Sequence, residues 1–114
     1  MPSDPTVSNS LLRCTRADRL AHPLFECVRS DLNLWVWELG GGGMDFSQWL
    51  MQTETALTEN LSQLAQLAEG SADYTLHLSV DFGQERLARV LMPAGFLKIA
   101  ASIGFAIEIY ASES

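Results

Sequence analysis

The sequence holds 114 residues, about the size of one ordinary domain, with an apolar fraction of 47% and a charged fraction of 18%. These values are typical of a globular protein with a packed core, and they exclude a disordered or fibrous chain. Fourteen acidic residues against seven basic ones give a net charge of −7. This charge repels nucleic-acid backbones and acidic membranes, so we expect neither as a partner and favour a basic protein instead.

The first ten residues and the cysteines bear on the compartment. The stretch MPSDPTVSNS has neither the basic start nor the apolar run of a secretion signal. The chain has only two cysteines, Cys14 and Cys27, whereas a small secreted domain usually carries more at framework spacing. We therefore predict a cytoplasmic protein with two free thiols.

The N-terminal part is the least regular. Residues 1–10 contain two prolines and small polar residues, and we expect them to be flexible. A short helix over residues 5–13, with Pro5 in the first helical position, is the alternative. Residues 11–114 are expected to form a single α+β domain, and residues 11–30 would extend it as an irregular or helical segment.

A strand followed by a long helix comes next. Residues 34–39, LWVWEL, are aromatic and β-branched and end at four consecutive glycines, Gly40 to Gly43, which predicts a strand. From Phe46 to Ala68, apolar residues recur at helical spacing, with Asp45 as the N-cap and Gly70 as the stop. The spacing predicts one amphipathic helix of about six turns.

The last third predicts further strands and a helix. Apolar and polar residues alternate strictly over residues 74–82 and again over 105–110, which is the pattern of a strand with one buried face. Between them we expect a short strand over residues 86–91 and a helix from Pro93 that ends at Gly104. The order from residue 34 is βαββαβ, which predicts a ferredoxin-like antiparallel sheet with both helices on one face.

The other sheet face is the candidate binding site. The alternation places His77, Asp81, Glu108 and Tyr110 on it. The strand over residues 34–39 can be oriented in two ways. Either Trp35 and Trp37 join this polar face and form an aromatic platform flanked by carboxylates, or the register is opposite and the indoles are covered by the N-terminal segment or by a second copy of the chain.

Several kinds of chemistry are disfavoured. The strand over residues 74–82 contains no Lys or Arg, which argues against RNA stacking on the sheet. The glycine run precedes a helix as phosphate-binding loops do, but it lacks their Lys-Ser/Thr, so a flexible connector is favoured. His22 with the two cysteines has no metal-ligand spacing. The sequence predicts no metal, no cofactor and no enzyme, because no nucleophile or paired carboxylates stand in a recognisable pattern.

The second half of the chain also resembles a known family. The residues that carry the likeness are Trp35-Val36-Trp37, the leucine-rich helix, Leu76-His77-Leu78-Ser79-Val80 and the closing run FLKIAASIGFAIEIY over 96–110. Together they resemble the bacterial family called domain of unknown function 4279, over residues 34–110. The N-terminal part departs from that family, which opens with a strand. The resemblance implies no activity and no functional residues, because the family has none established.

The leading functional hypothesis is a small acidic bacterial protein-binding module, and its most concrete form is an immunity protein that neutralises a basic toxin. It rests on the single small domain, the negative charge and the lack of catalytic motifs, a combination that suits electrostatically steered binding. The alternatives are a small-ligand binding or regulatory domain and, third, an enzyme.

Overall fold

The computed structural model describes residues 5–16, 22–83 and 90–112. In chain order, the elements are β1 (Thr6–Arg16), β2 (Glu26–Arg29), a 3₁₀ turn (Ser30–Leu32), β3 (Leu34–Asp45), α1 (Phe46–Glu59), α2 (Leu61–Ala68), β4 (Ser71–Asp81), α3 (Ala94–Ile103) and β5 (Ala106–Ser112). The strands form one five-stranded sheet in the order β2-β3-β1-β4-β5. The class is therefore α+β, as predicted.

The topology is not ferredoxin-like, and the N-terminal segment is the reason. Residues 6–16 form strand β1 in the middle of the sheet, antiparallel to both β3 and β4. The predicted helix over residues 5–13 is thus wrong, and so is the prediction of an irregular extension. The sheet is mixed rather than antiparallel, because β5 runs parallel to β4 and is joined to it through α3.

The core lies between the sheet and the helices. From the central strands it takes every second residue, such as Leu12 and Cys14 of β1 and Leu76 and Leu78 of β4. Each helix contributes the residues of its apolar side, which are Phe46, Trp49, Leu57, Leu64, Leu67, Phe96, Ala100 and Ile103. The periodicities that predicted β4 and α3 are those of this packed layer, and Gly104 ends α3 in the left-handed conformation, as expected.

Two local predictions about the first strand and helix need correction. The helix expected over residues 46–68 is interrupted at Asn60, whose side chain donates to the carbonyl of Ala56 at 2.9 Å and separates α1 from α2. The glycine run is neither a connector nor a phosphate loop, because Gly40 to Gly43 belong to β3. The short strand predicted over residues 86–91 falls mostly on residues outside the described ranges.

Among the described residues, no helix is long and apolar enough to cross a membrane.

Candidate functional site

The register of the central strands decides where the two predicted tryptophans lie. In β1 and β3, Cys14 is paired with Trp35 and Leu12 with Trp37. Directly paired residues of antiparallel strands point to the same side, so both indoles lie on the face that carries the helices. The alternative that put them on the polar face is wrong. Pairing with a strand that sequence analysis did not predict sets this orientation.

Each indole is covered in a different way. The ring of Phe25, from the segment before β2, packs against Trp37 with the ring centres 6.2 Å apart. Trp35 lies between two thiols, because β3 pairs it with Cys14 on one side and with Cys27 on the other. Its indole nitrogen is buried and has no hydrogen-bond partner among the described residues. The two tryptophans are therefore partly buried against the core layer and do not form a platform on the polar face.

Three of the other predicted site residues do come together on the polar face. The parallel pairing of β4 with β5 sets His77 beside Glu108, and the imidazole stacks on Tyr110 with the ring centres 5.6 Å apart and the planes inclined by 9°. The phenol of Tyr110 donates to one carboxylate oxygen of Glu108. The other oxygen lies 3.7 Å from His77 Nε2. We call these three residues the polar trio.

The electrostatics of the polar trio follow from this geometry. The hydrogen bond from Tyr110 to the Glu108 carboxylate raises the pKa of the phenol, because the bond stabilises the protonated form. Partial burial and the negative charge of Glu108 act in the same direction, while Arg13 acts against them. Arg13 itself forms an ion pair with Asp73, with 3.1 Å between Nη2 and Oδ2. Within the trio, Tyr110 and Glu108 are thus hydrogen-bonded to each other, whereas His77 Nε2 is buried and has no hydrogen-bond partner among the described residues.

Asp81 lies away from the trio, at the end of β4. Its carboxylate accepts a hydrogen bond from the backbone N–H of Gly83 at 2.7 Å, which shapes the turn that follows the strand. The structure therefore gives Asp81 a local structural role, and brings only His77, Glu108 and Tyr110 of the predicted set into contact.

A groove along α1 is a site that sequence analysis missed. It measures about 530 Å³ and is lined by Ser47, Leu50, Met51, Glu54, Thr55, Thr58 and Glu59. Met51 is 67% exposed, which is high for a large apolar side chain, and Leu50 lies half-buried beside it. The signal was present in the sequence, because Leu50 and Met51 give α1 more apolar surface than its core-facing side needs.

The two cysteines are free, as predicted; Cys14 is buried and Cys27 exposed. Burial raises the pKa of the Cys14 thiol to about 11, which keeps it protonated and unreactive at neutral pH. Within the described ranges, no group of three or more His, Cys, Asp or Glu side chains could hold a metal ion.

Comparison with known protein families, with curated proteins and with solved structures gives no match to this chain. The resemblance of residues 34–110 to domain of unknown function 4279 therefore stays a prediction.

Proposed function

We propose that this chain is a protein-binding module for a basic partner, and that it works as an immunity protein does when it neutralises a basic toxin. The observation that carries the proposal is the groove along α1, where a partly exposed apolar floor is flanked by carboxylates. The floor is formed by Leu50 and Met51, and Glu54 and Glu59 lie along its length. Such a surface suits an apolar side chain that is carried on a positively charged segment.

The charge distribution supports a basic partner over an acidic one. From Phe46 to Ala68 the sequence contains Glu54 and Glu59 and no lysine or arginine. The net charge of −7 extends the negative potential beyond the groove. Electrostatic attraction of this kind accelerates association and orients the partner, while the buried apolar area slows its release. Methionine suits the floor because its flexible side chain adapts to different partner surfaces.

Affinity capture from the native host tests the proposal. The bait is the tagged wild-type chain, beside a groove variant, Glu54→Lys/Glu59→Lys, and a control, Glu26→Lys/Glu38→Lys, which reverses the same number of charges on β2 and β3. We expect wild type and control to retain a basic protein that the groove variant loses, and the retention to fall as salt rises. Each variant is first checked for its folded circular dichroism spectrum.

Two results would contradict the proposal. Retention of the basic protein by the groove variant as well as by the control would move the site off α1. Capture of no basic protein by wild type at low salt would remove the partner altogether.

Binding of a small ligand is the second candidate, and the size of the same groove favours it, because 530 Å³ lies within the usual range for small-molecule sites. A screen of small molecules by thermal shift distinguishes the two, since a ligand that binds only the folded state raises the melting temperature. A shift that Leu50→Ala abolishes would favour this second candidate over a protein partner.

A further inference from the structure

The two edges of the sheet are protected to different degrees. Strand β2 has only four residues, contains a register shift and carries Glu26 and Arg29. Strand β5 has seven residues without lysine or proline, and Glu108 is its single charge. Ile109 and Tyr110 of β5 are 42% and 52% exposed, and no described strand pairs with its outer side. Short length, charge and irregularity are what normally protect an edge, so β2 is protected and β5 is open to a further strand.

One hydrogen bond shows which backbone groups β5 offers. The N–H of Phe82 donates to the carbonyl of Ser112 at 3.0 Å, so the polar backbone groups of Ser112 face β4. These groups alternate in direction along a strand. Those of Ile107, Ile109 and Ala111 therefore point outward, and a strand added at this edge would bond to them.

We propose that a second copy of this chain adds to β5 as an antiparallel strand, about a twofold axis at Ile109. In this register Ile109 faces Ile109 of the second copy, and Ile107 faces Ala111 of the second copy. Each residue whose backbone groups point outward is therefore paired with another such residue. Glu108 then lies opposite Tyr110 of the second copy. An axis at Glu108 would instead set two carboxylates directly opposite each other, which destabilises a strand pair.

The dimer that results joins two five-stranded sheets into one continuous sheet. Because a seven-residue strand pair is a small interface, we expect dissociation to be concentration-dependent in the laboratory range. The helices, and with them the groove on α1, take no part in the strand pairing. The dimer therefore neither requires nor excludes the proposed binding of a basic protein.

Cysteine cross-linking tests the register. In a Cys27→Ser background, Ile109→Cys sets two thiols on Cα atoms about 5.5 Å apart, within the range of a disulfide. Ile107→Cys is the matched control. The backbone polar groups of Ile107 also point outward, but in the proposed register this position faces Ala111 of the second copy and lies four residues, ~13 Å, from the same position of the second copy. Under mild oxidation we expect the first variant to form a covalent dimer and the second to remain a single chain.

A proline variant tests the edge. The N–H of Ile109 points outward and is not used within the sheet, so Ile109→Pro removes a bond to the second copy without removing one to β4. By sedimentation equilibrium, we expect wild type to approach twice its 12.6 kDa as concentration rises, and Ile109→Pro to stay at 12.6 kDa with its melting temperature in dilute solution within a few degrees of wild type.

Three results would overturn the proposal. They are a wild-type chain that is monomeric up to its solubility limit, a dimer that survives Ile109→Pro, and cross-linking of Ile107→Cys as fast as that of Ile109→Cys. The last would place the contact elsewhere or show that the thiols meet only by collision.

Discussion

The indole nitrogen of Trp49 donates to the hydroxyl oxygen of Ser10 at 2.7 Å, and that hydroxyl in turn donates to the carbonyl of Gly40 at 2.8 Å. Ser10 and Trp49 are both fully buried, so this relay is closed to water. It ties α1 to the central strand and to the glycine segment of β3. The replacement Ser10→Ala leaves both the indole N–H and the Gly40 carbonyl without this partner.

We expect Ser10→Ala to lower the free energy of unfolding by about 1–3 kcal/mol, the cost of leaving buried polar groups unsatisfied. Urea denaturation measures it. Ser62→Ala, at an exposed position of α2, is the control and should change stability by less than about 0.5 kcal/mol. Equal losses for the two variants would show that the relay contributes nothing.

The glycine segment should tolerate substitution unequally. Gly41 has a φ of +137°, and a Cβ there would lie 2.9 Å from the Asn9 backbone, whereas Gly42 has a φ of +67° and open space around it. We expect Gly42→Ala to cost about 1–2 kcal/mol for its left-handed backbone. Gly41→Ala should cost clearly more, because β1 must move away from β3 as well. Similar denaturation midpoints for the two variants would contradict the close approach.

Arg16 should stabilise the end of α2. Its Nη1 donates to the carbonyl of Leu67 at 2.8 Å, in the last turn of the helix, where carbonyls lack partners within the helix. We expect Arg16→Met to destabilise the fold by about 1–2 kcal/mol in urea denaturation. The control is Arg29→Met, which removes the exposed ion pair with Asp31 and should cost no more than about 1 kcal/mol. If the control loses more, the capping role is wrong.

Two buried acids should make the fold sensitive to alkali. Burial raises the pKa of the Cys14 thiol from 9.0 to about 11, and burial also raises the pKa of Tyr74. Between pH 9 and 11 the Cys14 thiol keeps its proton in the native state but has lost it in the unfolded state. This contribution to stability is therefore complete below pH 9 and falls as pH rises through 11. In thermal melts from pH 8 to 11, we expect Cys14→Ala to lose stability less steeply than wild type. Parallel curves would exclude the thiol as a cause.

The polar trio can be tested through the titration of one phenol. The chain has two tyrosines, and the difference in ultraviolet absorbance between wild type and Tyr110→Phe isolates Tyr110. We expect Glu108→Gln to lower the pKa of Tyr110 toward its ordinary value of 10.0, because it removes the negative charge and the carboxylate acceptor. Asp73→Asn, which alters the neighbouring ion pair, is the control. An unchanged titration in Glu108→Gln would mean that the phenol does not bond to Glu108 in solution.

Periodicity predicted the elements with one buried face and failed where both faces are apolar. In β4, Leu76 and Leu78 alternate with polar residues, so both the strand and the position of His77 on the other face could be predicted. In β3, Trp35 and Trp37 alternate with Leu34 and Val36, and the pattern is the same whichever face is buried. Only the pairing with β1 distinguishes the two orientations.

The central strand was missed because its own pattern is irregular. A register shift lies between Val7 and Asn9, and Leu11 and Leu12 are adjacent, so no strict alternation runs through β1. The prolines before it added a misleading helix signal. The groove on α1 was missed for another reason, since Leu50 fits the apolar face of the predicted helix and only the structure shows Met51 exposed beside it.

The position of β1 also determines when the sheet can assemble. This strand precedes both of its neighbours, β3 and β4, along the chain, and the second of these ends at Asp81. A growing chain therefore carries Thr6–Arg16 unpaired on one side until β4 has left the ribosome. Pairs so distant in sequence close slowly. Removal of the first sixteen residues would separate the sheet into two halves rather than trim an end.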